Sequence, residues 1–278
     1  MNSFHEGTAN YYNRGVMHQA LGYEKYHSYQ DYCNDDLSVK IDSFLWENDE
    51  LYSNLTEKEP FMSFVITFSA HLPYSIEGDD VAVAQYALDK YPQYAEGEVT
   101  EEDVIRAKAH LTDDMFAGLI NRLKEDEILE DTVIIGFADH YAYGLTDDEL
   151  LQQLSEDAGN SILENTPAFI YCAGYTQSMA VDKVMQTTDL APTIENLFGL
   201  DKANNIMGQD VFDKNYEGYA IFPNSTWITN SAYVKNGNVV WNNGMSDQEI
   251  RDMNSFVQET YNVNDDILKS NYYSFCGD

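Results

Sequence analysis

Residues 132–144 read "TVIIGFADHYAYG". The run from Thr132 to Ala138 is short, apolar and rich in β-branched and aromatic side chains, which is the pattern of a buried strand. It stops on an acid and an imidazole side by side, Asp139 and His140. A carboxylate next to a neutral imidazole is a donor pair for a divalent metal such as Zn2+ or Mn2+. The same two residues would also serve a loop in which they satisfy backbone groups. They are only two ligands, so a metal site needs more from elsewhere.

Outward from this stretch, "FMSFVITF" at 61–68 reads as a second strand, leading through Ser69 and Ala70 to His71. Pro167 to Cys172 reads as a third. If the strands ending at 68 and 138 run parallel in one sheet, His71, Asp139 and His140 converge beyond their carboxyl ends, where open α/β sheets bind ligands. The chain has only six histidines, so two strand ends of this kind carry weight. His71 is then either a third ligand or a contact for an anionic substrate group.

Helices lie between the strands. Thr100 with Asp103 forms a capping-box pattern for a helix over 101–129, with an apolar stripe of Met115, Phe116, Leu119, Ile120 and Leu123. Thr146 and Glu149 open another over about 147–156, and Thr188 to Pro192 open one that Gly199 ends. Ser225–Val234 and Asn238–Trp241 read as strands joined at Asn236-Gly237, and Ser246 with Glu249 caps a last helix to about Tyr261. The expected class is α/β: a mainly parallel sheet flanked by helices, with a C-terminal hairpin and helix. No repeat or linker divides residues 1–278, so one domain is expected. The acidic, Tyr-rich segment 72–98 reads as a long loop over a site or partner surface.

Composition narrows the function classes. The 48 acids against 15 bases leave a net charge of −33, a surface that repels nucleic acid and anionic membrane. An anionic substrate therefore needs a local positive centre. At 44% hydrophobic the chain can bury a full core. Of three cysteines, Cys172 sits in an apolar run, while Cys33 and Cys276 are a possible pair that spacing does not settle. No apolar run of membrane-spanning length and no leader pattern is present.

A metal is one such centre, and the segment "FHEGTANYYNR", 4–14, offers another. It places His5, Tyr12 and Arg14 together, and a planar guanidinium suits bidentate recognition of phosphate or sulfate. An ordinary ion pair with one of the 48 acids is the competing use of Arg14.

Four stretches in order, "FHEGTANYYNRGVMHQALGYEKY", "FVITFSAHLPY", "TVIIGFADHYAYG" and "TTDLAPTIENLFGL…MGQDVF", resemble the extracellular catalytic domain of lipoteichoic acid synthase-like phosphoglycerol transferases, in the alkaline phosphatase/sulfatase superfamily. The resemblance runs from about residue 2 to 245. It implies that Asp139 and His140 bind one catalytic divalent ion, usually Mn2+, with Zn2+ or Mg2+ as alternatives. It implies that His71 contacts the substrate phosphate, that Arg14 holds the phosphoglycerol group, that Tyr12 stands where Trp is frequent, and that His5 lies nearby. Gly7 departs from members with an Asp there. The implied reaction transfers phosphoglycerol from phosphatidylglycerol to a glycerol-phosphate polymer or glycolipid acceptor, at the extracellular face of the cell membrane. The Thr nucleophile and a Glu ligand of such enzymes precede the first of these motifs, so they and the domain's first strands are expected upstream of Met1, and the chain alone is expected to turn over little. A sulfatase or phosphodiesterase of the same superfamily, or an inactive glycerol-phosphate-binding domain, are the alternatives.

Overall fold

The computed structural model describes residues 1–157, 162, 164–201 and 207–275. Two compact units divide the chain, Met1–Thr176 and Gln177–Asp278.

In the first unit a parallel sheet is built from β1 (Asn2–His5), β2 (Lys25–Ser28) and β3 (Ser63–Val65), in the order β2-β1-β3. β1 is central, with Phe4 opposite both His27 and Val65. A central parallel strand is covered on both faces, and accordingly Ser3 and Phe4 are both fully buried. That explains why β1 escapes a search for alternation: four residues of mixed polarity show neither a polar face nor an apolar run. Between β1 and β2 lies α1 (Arg14–Ala20); between β2 and β3 come α2 (Asp36–Lys40), α3 (Phe44–Glu47) and α4 (Asp49–Thr56).

Next come α5 (Ala82–Lys90) and α6 (Glu101–Glu125). The Thr100–Asp103 capping box is present, and α6 stops at Glu125, a turn earlier than its sequence pattern suggests. Its inward stripe joins two cores: Met115, Leu119 and Leu123 pack with Phe4, Tyr29 and Leu51, while Val104, Ala107 and Leu111 pack with Val83, Ala87 and Leu145. Each such Val, Leu, Met or Phe side chain is worth about 1.5–3 kcal/mol when fully buried. Segment 72–98 is thus not a bare loop. Its middle is α5, whose Val83, Ala84, Ala87 and Leu88 are buried at helical spacing between acidic flanks.

β4 (Val133–Phe137) does not pair with the parallel sheet. It pairs antiparallel with β5 (Ala168–Cys172), and α7 (Asp148–Asp157) lies between them in sequence. The two strand ends read from sequence therefore belong to different sheets. Gly136 faces Phe169, whose ring atoms lie 2.4 Å from where a Cβ would stand, so only glycine admits that cross-strand neighbour.

The second unit holds α8 (Leu190–Phe198), a four-stranded antiparallel meander, β6 (Tyr219–Phe222), β7 (Thr226–Thr229), β8 (Ala232–Lys235) and β9 (Asn238–Asn242), and α9 (Asp247–Ser270). The expected hairpin is its β8–β9 half. Asn236 and Gly237 have φ of +51° and +76°, as a two-residue turn of matching twist requires. The strand expected over 225–234 is two, β7 and β8. Trp227, Val234 and Val257 close a small core, and the Trp227 indole N–H donates to Asn254 at 2.8 Å. The Asp189 of the "TTDLAPT" motif is structural here: its buried carboxylate accepts from the backbone N–H groups of Gln186 and Gln209 and from the Tyr216 hydroxyl.

Cys33 and Cys172 are free, half-buried thiols; Cys276, a possible partner of Cys33 from sequence, lies outside the described residues. Among the described residues no helix is long and apolar enough to cross a membrane.

Candidate functional site

His5 closes the carboxyl end of β1 and is 4% exposed. Its Nδ1 lies 3.0 Å from the Ile66 carbonyl, just past β3, so Nδ1 carries the proton and Nε2 keeps its lone pair. Burial pushes the imidazole down to about 4, so it is neutral near pH 7. Its Nε2 faces the Glu6 carboxylate at 3.9 Å. Glu6 is itself buried, and burial raises its pKa against the pull of Lys40 and Arg14.

Arg14 reaches this end of the sheet through an unusual turn. Tyr12 and Asn13 have φ of +50° and +56°, the left-handed region that an aromatic residue rarely occupies. The Gly15 N–H closes the turn on the Ala9 carbonyl at 2.9 Å. Arg14, the first residue of α1, is near enough to His5, Glu6, His18 and Tyr26 to shift the titration of each. Its Nη1 is buried and has no hydrogen-bond partner among the described residues. Buried donors are almost always satisfied, so this guanidinium nitrogen is open to an acceptor. Tyr12 is 70% exposed, with the guanidinium carbon 5.9 Å from its ring centroid.

His71 lies on the loop after β3. Its exposed ring stacks on Phe68 at 5.3 Å and 14°, and Phe68 in turn meets the His5 ring edge-on at 6.5 Å. Three rings thus run from the buried β1 end to the surface.

Asp139 and His140 occupy the loop after β4, with side chains 79% and 41% exposed. His140 Nδ1 sits 2.8 Å from the Tyr141 carbonyl, which leaves the Nε2 lone pair 3.5 Å from the Asp139 carboxylate. An imidazole held by a carbonyl on one nitrogen and open on the other is the usual arrangement of a ligating histidine. The pair therefore fits a divalent ion as two adjacent donors. Among the described residues no group of three His, Cys, Asp or Glu forms around it. The loop lies against the His71 loop: a Cβ on Gly144 would stand 3.0 Å from Leu72, and Asp139 acts electrostatically on Tyr74. The shared sheet expected from sequence is not formed, and the two loops touch at Gly144 and Leu72.

Glu6 carries no local signal beyond adjoining His5. Lys108 had one, since spacing places that lysine in the apolar stripe of α6.

A parallel sheet with polar residues at its carboxyl ends has the ligand-binding layout of open α/β folds. The sulfatase family profile matches residues 2–200, and the chain belongs to that family. Its relatives include lipoteichoic acid synthase 2 of Bacillus subtilis, 26% identical over 82% of this chain and 35% of that protein. They also include the lipoteichoic acid synthase of Staphylococcus saprophyticus, 25% identical over 95% of this chain and 42% of that protein. The chain thus spans about two fifths or less of the length of these curated relatives. The crystal structure of the lipoteichoic acid synthase LtaP from Listeria monocytogenes superposes with a TM-score of 0.68, covering 94% of this chain and 69% of that one at 19% identity. The fold is the alkaline phosphatase-like α/β fold.

Proposed function

We propose that the chain is the phosphoglycerol-binding part of a lipoteichoic acid synthase-type transferase, which moves phosphoglycerol from phosphatidylglycerol to a glycerol-phosphate or glycolipid acceptor at the extracellular face of the membrane. The orphan Nη1 of Arg14 carries the reading, since it is a buried cationic donor in a chain of net charge −33. An anionic phosphoryl oxygen satisfies it, and the fork geometry adds a second bond. His71 supplies a further contact to the phosphoryl oxygens. His5, neutral and with Nε2 open, accepts a glycerol hydroxyl, and the exposed Tyr12 ring forms the pocket wall. Asp139 and His140 hold one divalent ion, Mn2+ first, together with ligands beyond the described set. When bound, that ion lowers the pKa of an attacking hydroxyl and stabilises phosphoryl charge.

The family profile alone suits a sulfate ester as well, because the guanidinium does not tell the two anions apart. Titration with sn-glycerol 1-phosphate and with sulfate, followed by calorimetry, separates them. Glycerol phosphate is expected to bind the wild-type protein and Arg14→Lys at least tenfold more weakly, because Lys lacks the planar fork. Equal affinity in Arg14→Lys, or preference for sulfate, would sink the assignment.

A further inference from the structure

Lys108 sits on the inward face of α6, one turn from Val104 and one from Leu111, and is 2% exposed. Lysine is almost never this buried unless its ammonium is held. Its Nζ donates to the His71 carbonyl and, at 3.2 Å, to the Pro73 carbonyl, and lies 5.7 Å from the Tyr74 ring centroid.

The same loop is held at its other end by a buried acid. Asp42, 1% exposed, accepts from the backbone N–H of Phe68 and of Ser69, each at 2.8 Å. The Ser69 hydroxyl accepts from the Asp42 N–H at 2.7 Å and donates to the Lys40 carbonyl at 3.3 Å. Between the two anchors, the His71 N–H closes on the Phe68 carbonyl at 2.7 Å. The segment 68–73 is therefore gripped by its backbone, donors by a carboxylate and acceptors by an ammonium. Its one projecting imidazole is His71, stacked on the anchored Phe68.

Stability alone does not account for this pair. Desolvating an ion costs several kcal/mol, and an apolar residue at 108 would complete the α6 stripe at no such cost. A buried ion held by specific acceptors does, however, select one loop conformation over its neighbours. Burial pulls Lys108 down to about 8 against the favourable charge of Asp42, and burial pushes Asp42 up to about 6 against its hydrogen bonds from Phe68 and Ser69.

We propose that Lys108 and Asp42 form a buried clamp that positions the His71 imidazole at the phosphoglycerol site. Lys108 is a positioning residue: it acts through the backbone of 68–73 and touches no substrate. The claim rests on the reading of His71 as a substrate contact.

The test uses the full chain with labelled histidine rings, the His71 signals assigned by His71→Gln. In Lys108→Met the His71 ring signals are expected to lose the ring-current shift from Phe68 and move to solvent-exposed positions. The His18 and His27 signals stay in place, and the melting transition remains cooperative. Asp42→Asn, which removes the charge and one acceptor, is expected to displace the same signals, and it decides the matter should Lys108→Met not fold. Affinity for sn-glycerol 1-phosphate falls about tenfold in Lys108→Met, while the response of His140 to Mn2+ is unchanged. Superimposable His71 signals in a folded Lys108→Met protein would overturn the clamp. A wild-type His71 that ignores glycerol 1-phosphate would instead sink the functional reading, and the positioning role with it, even with the clamp visible in the free protein.

Discussion

His5 and His140 are both candidate site imidazoles, and they live under opposite conditions. His5 is 4% exposed, its Nδ1 proton committed to Ile66 and its ring set against Phe68. The His140 side chain is 41% exposed and leans on its own loop, on the Tyr141 carbonyl, the Tyr143 ring and Asp139. The first group is built into the core and is in place before any ligand arrives. The second rests on contacts within its own loop. A neutral imidazole tolerates burial once its N–H is satisfied, as in His5, whereas the Asp139 carboxylate stays exposed because an unpaired buried carboxylate is costly.

The largest expected effect falls on the built half. Phe4 is fully buried in the central strand and stacks on His27 at 4.7 Å, so Phe4→Ala should cost about 3–5 kcal/mol in urea unfolding. A loss below 1 kcal/mol would show that β1 is not the anchor described. Acid comes next. Burial holds His27 near 4, below its ordinary 6.5. Its contribution is therefore complete above pH 6.5 and is lost as pH falls toward 4, because the unfolded chain takes up the proton first. Wild type should lose about 2 kcal/mol more than His27→Phe between pH 7 and 4.5. Asp42 works in the opposite direction, since its raised pKa favours the folded state at low pH, but it is common to both proteins and cancels in the difference. Equal acid sensitivity in the two proteins would refute the assignment.

Smaller still is Arg14→Met. It removes a buried donor that has no partner, and should raise the stability of the ligand-free protein by about 1 kcal/mol while abolishing glycerol phosphate binding. A destabilised variant would mean that the contacts of Arg14 with Tyr26 and Glu6 outweigh the orphaned donor. Smallest is His140→Ala, expected to change stability by less than about 0.5 kcal/mol, as for other exposed positions. Mn2+ should broaden the Tyr141 and Tyr143 signals of the wild type and not those of this variant. A large stability loss in His140→Ala would erase the contrast between the two histidines.

The parts legible in advance are those whose cause is local. The Thr100–Asp103 and Ser246–Glu249 boxes, the left-handed Gly199 and the Asn236-Gly237 turn each depend on residues within four positions of one another. β4 and β5 were readable as apolar runs, and Asp139-His140 as a polar stop. β1 was not, because "NSFH" is a strand only by virtue of neighbours some twenty and sixty residues away. The same distance hid the antiparallel partner of β4, and the Asp42–Lys108 grip joins residues 66 positions apart in numbering.

By itself, then, the order of residues determined which side chains this protein offers: a guanidinium beside His5, an imidazole after one strand, and an acid with an imidazole after another. Only the tertiary structure decided which of them are buried and which exposed. Hydrogen-bonding and metal-ligating capacity belong to the side chain. Burial, the orphaned Nη1 of Arg14 and the neutral state of His5 belong to packing, which sums contacts from the whole unit.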